Sequence, residues 1–351
     1  MPLKLHSLLQ DANAVFVYRS AVGEKPTHED YDRIARSVLE LMEARLDGER
    51  LVFKPNVTSG EHFADPDTGI TTHPAFIGGL IKYFKQNGAN KDRIYIVEDP
   101  RNSNDHAPRH WKGTGYLEVA EETGAKLRCP NSFYCVKRKV PQPLIHPVRN
   151  VTRFAVGENT ILVNVPKLKT HNLGIMTLGL KNMMGLDDVY ERHFCSQAWN
   201  DLPKEWITDQ KNKREWMDES QHAVWQLGLA KRLADLSKVI PTHLNIIEGV
   251  VGRDGTGFQN GRNYSLGLVV AGVNIVAVDS VATYLVGFDP AANITLKIAA
   301  ESGLGTNDLN RIKIYHAPDG IIQPCNDLTP YRSARPFVVL RGIKGEVVEG
   351  F

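Results

Sequence analysis

The sequence predicts an α/β protein with mostly parallel or mixed sheets covered by helices, and three observations support this fold class. Short apolar runs alternate with segments whose apolar residues recur at helical spacing. The strand-like runs are apolar at almost every position, as in strands that are covered on both faces. The 351 residues, 42% hydrophobic and 23% charged, suffice for one large or two medium domains and exclude a mainly disordered chain.

The first half of the chain predicts strands and helices in alternation. Thr27 and Asp30 match a capping box, which predicts that a helix starts there. His73-Pro74 predicts a second helix start, because proline is favoured in the first turn. The predicted strands are Ala14–Tyr18, Leu51–Lys54 and Ile94–Val97, and a third helix is expected near 113–123.

The second half predicts further strands and helices around a polar segment. Residues 186 to about 220 are rich in charge and tryptophan and lack a clear period, which predicts an excursion or lid outside the core. Its tryptophans, Trp199, Trp206, Trp216 and Trp225, are expected in a lid or subunit contact. Two lobes, 1–150 and 151–351, are predicted, with one continuous domain as the alternative. The other expected elements are strands at 160–165, 244–251, 266–271 and 312–316, helices at 174–185, 223–236, 275–286 and 294–302, and a terminal hairpin.

Charge and cysteine content exclude several functional classes. Forty-two Lys and Arg against 40 Asp and Glu give a net charge of +2, so no general field favours nucleic acid or an anionic membrane. No apolar run reaches the roughly 18 residues of a spanning helix, and the first residues lack a secretion signal. The four cysteines, Cys129, Cys135, Cys195 and Cys325, form no C-x-x-C pair, so we expect reduced thiols, no iron–sulfur cluster and a cytoplasmic location.

Two polar clusters in the first half follow the predicted strand Leu51–Lys54. Lys54-Pro55-Asn56 leaves this strand, and ligands of open α/β sheets bind at the carboxyl ends of strands. Lys54 and Asn56 are therefore candidates to bind a carboxylate or phosphate, with an ordinary surface lysine as the alternative. Thr72 and His73, at the start of the next predicted helix, are candidates for an anion site, although simple N-capping is more common.

The strongest candidate cluster follows the apolar strand at 160–165. In an extended chain Lys167, Lys169 and His171 project to one side, where two ammonium groups and an imidazole attract an anion and lower one another's pKa. Such a shift creates a general base near neutral pH. Lys181 and Asn182 follow on an otherwise apolar helical segment. There are two structural alternatives. The charges of Lys167, Lys169 and His171 could protect the edge of a strand from aggregation. Lys181 could bury its aliphatic stem in an apolar surface and extend its ammonium group to solvent.

A glycine-rich loop and a buried acid complete the candidates. Asp254, Gly255 and Gly257 lie in a loop whose backbone amides can approach a ligand closely, and Asp254 could bind a metal or fix a lysine. The alternative is a plain hairpin loop. Asp279 in an apolar segment is expected to orient a site Lys or His, or to cap the helix that ends at Val286.

Together these segments resemble the DUF362 family, whose function is unknown. The resemblance rests on Lys54-Pro55-Asn56, Thr72-x-Pro74, Lys167-Leu168-Lys169-Thr170-His171, Leu180-Lys181-Asn182 with Gly185, Gly255/Gly257/Gly261, Ala277-Val278-Asp279, and Gly303-Leu304-Gly305 followed by Asp308, in the family's order. Many members carry a ferredoxin-like cluster domain, and this chain lacks the matching cysteines. The resemblance implies that these positions form one site, without a settled reaction or cofactor.

The function expected from the residues is an enzyme that acts on a small anionic metabolite. Lys169, Lys181 and His171 are the catalytic candidates for proton transfer, in an isomerase, epimerase or lyase. A divalent metal and a homo-oligomer are left open. The alternatives are a non-catalytic binding or cofactor-delivery protein, and a metal-dependent oxidoreductase whose ligands would be His171, His193 and an Asp.

Overall fold

The protein is built around one large mixed sheet in the computed structural model, which describes residues 3–57, 66–100, 108–206, 219–258, 260–340 and the backbone of 347–349. In these ranges the strands are β1 (Ala14–Arg19), β2 (Arg50–Pro55), β3 (Ile94–Val97), β4 (Lys126–Arg128), β5 (Cys135–Lys139), β6 (Val148–Thr152), β7 (Thr160–Val165), β8 (Lys167–His171), β9 (Ile175–Met176), β10 (Leu244–Arg253), β11 (Asn263–Gly272), β12 (Lys313–His316), β13 (Gln323–Pro324), β14 (Val338–Leu340) and β15 (Val347–Glu349).

The central sheet has the strand order β13-β12-β1-β11-β10-β7-β2-β3-β4, and β8 pairs with β10 beyond the end of β7. Strands β10, β7, β2, β3 and β4 run parallel, whereas β11 is antiparallel to both β1 and β10. The predicted boundary near residue 150 is not a break in this sheet, because β2 pairs with β7 along its whole length. Strands from both halves of the chain therefore share one sheet.

Helices cover both faces of the sheet, as the fold class predicts. On β2, Leu51 and Phe53 belong to one core cluster with α1 and α2, whereas Val52 belongs to a second cluster with α7 and α9. This alternation follows from the two-residue period of a strand. The helices are α1 (His28–Leu41), α2 (Pro74–Gln86), α3 (Tyr116–Thr123), α4 (Arg153–Val156), α5 (Leu178–Asn182), α6 (Phe194–Asn200), α7 (Glu219–Ser237), α8 (Ile275–Leu285) and α9 (Ile294–Glu301).

Two helix starts follow the expected chemistry. The Thr27 side chain accepts a hydrogen bond from the amide of Asp30, and the Asp30 carboxylate accepts one from the amide of Thr27. His73 is the N-cap of α2, with Pro74 in the first turn. The predicted capping box and the predicted start of α2 are both confirmed.

The expectation of an excursion outside the core at 186–220 is wrong for the described part. Leu186, Phe194 and Leu202 are buried in the same cluster as α7. Trp225 is buried too, and its ring lies 4.9 Å from that of Trp199. The apolar residues of this segment lie on short elements among many polar residues, so they show no clear period in the sequence. Trp216 lies outside the described residues.

The predicted terminal hairpin is confirmed as an antiparallel pair of β14 and β15. Its first strand meets the glycine-rich loop, because the amide of Gly255 donates to the carbonyl of Val338 and the amide of Leu340 donates to the carbonyl of Gly255. This hairpin therefore braces a loop that belongs to the candidate site.

Candidate functional site

Polar side chains from neighbouring strands meet at the carboxyl ends of β2, β3, β8 and β10. In parallel strands these ends lie at one edge of the sheet, the usual position of ligand sites in open α/β folds. Strand β10 is continuous past the junction of β7 and β8, so it brings the residues of β8 beside those of β2. The cluster includes Lys54, Glu98, Lys167, Glu248, Lys169 and Asn182, which are all buried.

Lys54 and Glu98 form a buried ion pair at the ends of β2 and β3. The Lys54 Nζ atom lies 2.5 Å from Glu98 Oε2, and it also donates to the carbonyl of Pro55 and to Asn182 Oδ1. Glu98 Oε2 accepts a further hydrogen bond from the amide of Val57. Burial lowers the pKa of Lys54, and the neighbouring carboxylate opposes this effect. Both charges are thus compensated within the protein.

Gly185 packs against this ion pair, and the space that a side chain at this position would need is occupied by Glu98 and Lys54. A Cβ atom at this position would lie 2.4 Å from Glu98 Oε1 and 2.6 Å from Lys54 Cε. A side chain here would push the ends of Glu98 or Lys54 aside and disturb the pair, so glycine suits this close approach. This gives a physical reason for the glycine that follows the Leu-Lys-Asn segment.

Lys167 and Glu248 form a second buried ion pair. They are directly opposite each other on β8 and β10, and Lys167 Nζ lies 2.6 Å from Glu248 Oε2. Both side chains have 0% exposure. Glu248 also accepts hydrogen bonds from the amides of His73 and Val250. Burial lowers the pKa of Lys167, whereas the Glu248 carboxylate raises it.

Lys169 and Lys181 lie beside the two ion pairs. Lys169 is 3% exposed, and its ammonium donates to the carbonyl of Ile70 over 2.8 Å. Burial lowers its pKa well below the usual range, and the nearby charges of Lys181 and Lys167 lower it further. Lys181 is partly exposed, and its ammonium forms no ion pair within the described ranges. The charge of Lys181 makes this side of the cluster attractive to an anion.

A row of buried amides links the first ion pair to the middle of the sheet. Lys54, Asn164 and Asn245 are cross-strand neighbours on β2, β7 and β10. Asn182 Nδ2 donates to Asn164 Oδ1 over 2.8 Å, and Asn164 Nδ2 donates to Asn245 Oδ1 over 3.1 Å. Since each buried amide has partners, the row fixes Asn182 against Lys54.

Asp279 holds the helix that carries Lys181 and Asn182. Its two carboxylate oxygens accept hydrogen bonds from the amides of Gly179 and Leu180, over 2.7 and 2.8 Å, at the start of α5. Burial raises its pKa to about 7. These bonds hold the start of α5, the helix that carries Lys181 and Asn182. The alternative is wrong: the N-cap of α8 is Asn274.

His171 and the glycine-rich loop lie at the end of β8. His171 Nδ1 accepts hydrogen bonds from the amides of Leu173 and Gly174, so the proton of the neutral ring is on Nε2. Gly257 has a φ of +80°, and a Cβ atom there would lie 2.0 Å from the carbonyl oxygen of Thr170. The loop joins β10 to β11 as a hairpin, the alternative expected from sequence.

The remaining predicted residues are engaged within the fold. Thr72 Oγ1 donates to the carbonyl of Val165 and accepts from the amide of Asn56, which joins the two segments at the end of β2. Asp254 accepts hydrogen bonds from the amide of Arg262 and the hydroxyl of Tyr264, so it braces the hairpin. These contacts bring the predicted residues together, but several of them serve local structure.

His73 is buried beside the second ion pair, and its tautomer is set by the helix. Its Nδ1 accepts from the amide of Ala75, so the neutral ring carries its proton on Nε2. Burial lowers the pKa of His73 to about 2, which keeps the ring neutral at physiological pH. The Nε2 atom lies 3.5 Å from Asp67, and His28 is close by.

This trio is the group in the described ranges that could hold a metal. Metal binding at Nε2 of His73 would move the ring proton to Nδ1 and break the hydrogen bond that Nδ1 accepts from the amide of Ala75, so the group is a poor match for an ion. His193, a ligand of the expected oxidoreductase, is exposed at the start of α6 and is not part of this trio.

Sequence reasoning missed both carboxylates and the central amides. Glu98 follows β3 directly, and Glu248 lies inside the apolar run of β10, where an unpaired acid would be costly. An acid in such a run signals a buried cation nearby. Asn164 lies in the most apolar strand, which is a similar signal.

The comparisons with known proteins identify the family of this chain. The family model described as "Domain of unknown function (DUF362)" matches residues 51–284, from β2 to α8. The chain belongs to the DUF362 family. The matched range contains both ion pairs, Lys169, Lys181 and Asp279, so the resemblance of the motifs to this family is confirmed.

Two individual proteins are also similar. A "Thylakoid-associated protein" of Synechocystis is 29% identical over 260 residues, which cover 74% of this chain and 69% of that protein. A crystal structure of a protein from Thermotoga maritima aligns with a TM-score of 0.45 at 9% identity, covering 80% of this chain and 61% of that chain. In the described ranges, no helix combines the length and apolar character needed to cross a membrane.

Proposed function

We propose that this DUF362 protein binds a small carboxylate or phosphate compound at the Lys169–Lys181 side of the cluster and catalyses proton transfer next to a carbonyl, as an isomerase, epimerase or lyase. The observation that carries the proposal is an imbalance of charge. Glu98 and Glu248 are each committed to another lysine and to backbone amides, whereas the partly exposed ammonium of Lys181 forms no ion pair within the described ranges. An anionic substrate would supply the negative charge.

The proposed roles follow from burial and hydrogen bonding. Lys169, with a strongly lowered pKa, is the candidate base, because a neutral amine accepts a proton near neutral pH. Lys181 is partly exposed and would attract the anion at the entrance. His171, whose Nδ1 accepts two amide hydrogens, would donate from Nε2. Asn182, Lys54 and Lys167 would fix the floor of the site.

A non-catalytic binding or cofactor-delivery protein is the second candidate. This candidate is favoured because the two ion pairs are complete within the protein. Lys54 and Lys167 are fully buried, and their carboxylate partners also accept hydrogen bonds from backbone amides. Such pairs define a rigid framework more readily than they take part in chemistry.

We further propose that the protein acts in the cytoplasm on small molecules and does not bind nucleic acid or insert into a membrane. The near-neutral charge supports this proposal. The name of the Synechocystis relative suggests peripheral membrane association as the alternative. Cell fractionation in low and high salt separates the two: recovery with membranes that salt reverses would indicate peripheral attachment.

The test uses proton exchange, because it needs no knowledge of the full reaction. The protein is incubated in D2O with pyruvate, oxaloacetate, acetoacetate and dihydroxyacetone phosphate, and NMR follows exchange of C–H for C–D next to each carbonyl. We expect exchange with at least one compound, and its loss in Lys169→Met. Lys297→Met, which removes an exposed lysine on α9, is the matched control and should exchange normally.

Calorimetric titration with the same compounds separates the two candidates. Binding without exchange for every compound would favour the binding protein and contradict catalysis. The absence of both binding and exchange across the panel would contradict both candidates at this site.

A further inference from the structure

The opposite end of the central sheet contains an open cleft. It lies where β7 begins at Thr160 and where the chain enters β10 at His243. The Lys–Glu pairs lie farther along the sheet, near the end of β2 and where β8 pairs with the middle of β10. The cleft has a volume of about 1000 Å³, within the range of small-molecule sites. Its walls come from the end of the β5–β6 hairpin, the turn before β7 and the segment after α7.

The charged residues that line this cleft are all basic: Arg138, Lys139 and Lys238. None of the described lining residues is an Asp or a Glu. Lys238 forms an ion pair with Asp235 over 3.5 Å, and the oxygens of Asp235 also accept hydrogen bonds from the amides of 144–146. The whole protein has almost equal numbers of acidic and basic residues, so a cleft whose charged lining residues are all basic differs from the average of the chain.

Hydrogen bonds hold the polar groups of the cleft in place. Lys238 Nζ donates to the carbonyl of Gln142 over 2.7 Å, and Arg138 donates to the carbonyl of Val156 over 3.1 Å. His243 Nδ1 accepts from the amide of Leu162, which leaves the ring proton on Nε2 as a donor. Burial lowers the pKa of His243, so its ring stays neutral at pH 7.

Much of the remaining lining is apolar and stiff. Three prolines and several aliphatic side chains form the walls, and prolines lose little entropy when a ligand is bound. A ligand must therefore combine a compact apolar body with negative charge. These apolar wall residues are Val140, Pro141, Pro143, Ala155, Val156, Val239 and Pro241.

We propose that this cleft is a second binding site, separate from the Lys–Glu cluster, for an organic anion with an aromatic or alicyclic ring and one sulfonate, carboxylate or phosphate group. The ring lies against the proline and valine walls, and the anionic group contacts Lys139 and Lys238. The site does not depend on the function proposed for the carboxyl ends of the strands, because it shares none of its residues.

The test uses 1-anilinonaphthalene-8-sulfonate, which has an aromatic body and one sulfonate and reports binding by its fluorescence. We expect one saturable site whose affinity falls about tenfold in the double variant Lys139→Ala/Lys238→Gln, because two cationic contacts with the sulfonate are lost, one from the exposed Lys139 and one from the largely buried Lys238. The matched control is Lys137→Ala on the same strand, which removes one positive charge without touching the cleft. It should bind as the wild type does.

A charge added to the cleft gives an independent test. Gln142→Glu places a carboxylate in the lining without a change in size, and it should weaken binding of the probe at low ionic strength and less in 0.5 M salt. Circular dichroism confirms that each variant is folded. Equal affinity for the probe in the wild type, the double variant and Gln142→Glu would overturn the proposal.

Discussion

The two ends of the central sheet handle charge in opposite ways. At the carboxyl ends, lysines and glutamates are buried together as Lys54–Glu98 and Lys167–Glu248, and each carboxylate also accepts backbone amides. At the amino ends, Arg138 and Lys139 line an open cleft whose described lining has no acid. Compensated buried charge fixes a framework, whereas uncompensated exposed charge is free to bind. The following experiments test this contrast.

The largest effect is expected from breaking a buried pair. In Glu98→Gln the ammonium of Lys54 loses its charged partner in a buried environment, so the free energy of unfolding should fall by about 3–5 kcal/mol. Urea unfolding measures it. Asp32→Asn, which breaks exposed contacts with Arg36 and Lys82, is the control and should cost less than about 1 kcal/mol. Equal losses of unfolding free energy in the two variants would show that the buried Lys54–Glu98 pair stabilises the fold no more than the contacts of Asp32 do.

A pH-dependent effect is expected at Asp279. Its pKa is raised to about 7 by burial, against an ordinary value of 3.8. Between about pH 4 and pH 7 the folded state therefore holds a proton that the unfolded state has released. The resulting stabilisation of the folded state is complete below about pH 4 and is lost as the pH rises through 7. This contribution amounts to about 4 kcal/mol over that window.

Asp279→Asn should remove this part of the pH dependence. Unfolding free energies of the variant and the wild type, measured from pH 4 to 8, should diverge as the pH rises, because the wild type loses this stabilisation and the neutral amide, which resembles the protonated carboxyl, does not. A constant difference across this range would show that the carboxyl does not titrate on unfolding. The variant should also bind anions less tightly, because α5 carries Lys181.

The smallest effect on stability is expected in the cleft. Lys139 is exposed on the hairpin, so Lys139→Ala should change the free energy of unfolding by no more than about 0.5 kcal/mol. Thermal unfolding provides the measurement. A clear loss of stability would mean that Lys139 is part of the framework, and the contrast between the two ends of the sheet would fail.

Much of the fold was predictable from local patterns. The capping box at Thr27 and the apolar runs of β2, β3 and β7 were sufficient to place these elements, because they depend on neighbouring residues. The segment that contains Phe194 was misjudged, since its apolar residues are spread over short elements within a polar sequence. The single sheet was not predictable, because the pairing of β2 with β7 joins distant parts of the chain.

The candidate site was predictable in its cations and less so in its anions. Lys54, Lys167 and Lys169 were visible because each stands beside an apolar strand. Glu248 was hidden within a strand, and only its register against Lys167 reveals its role. The hydrogen bonds of Asp279 to α5 were also inaccessible to sequence reasoning, because they span a hundred positions in the chain.

The contact between the glycine-rich loop and β14 has a consequence for biosynthesis. Gly255 exchanges backbone hydrogen bonds with Val338 and Leu340, and Val338 also donates to Asp254. A ribosome makes the loop long before it makes these partners, and chains fold from the amino terminus onward. Until Leu340 has left the exit tunnel, the loop of the nascent protein therefore lacks these backbone hydrogen bonds. During this interval the loop is accessible to a chaperone.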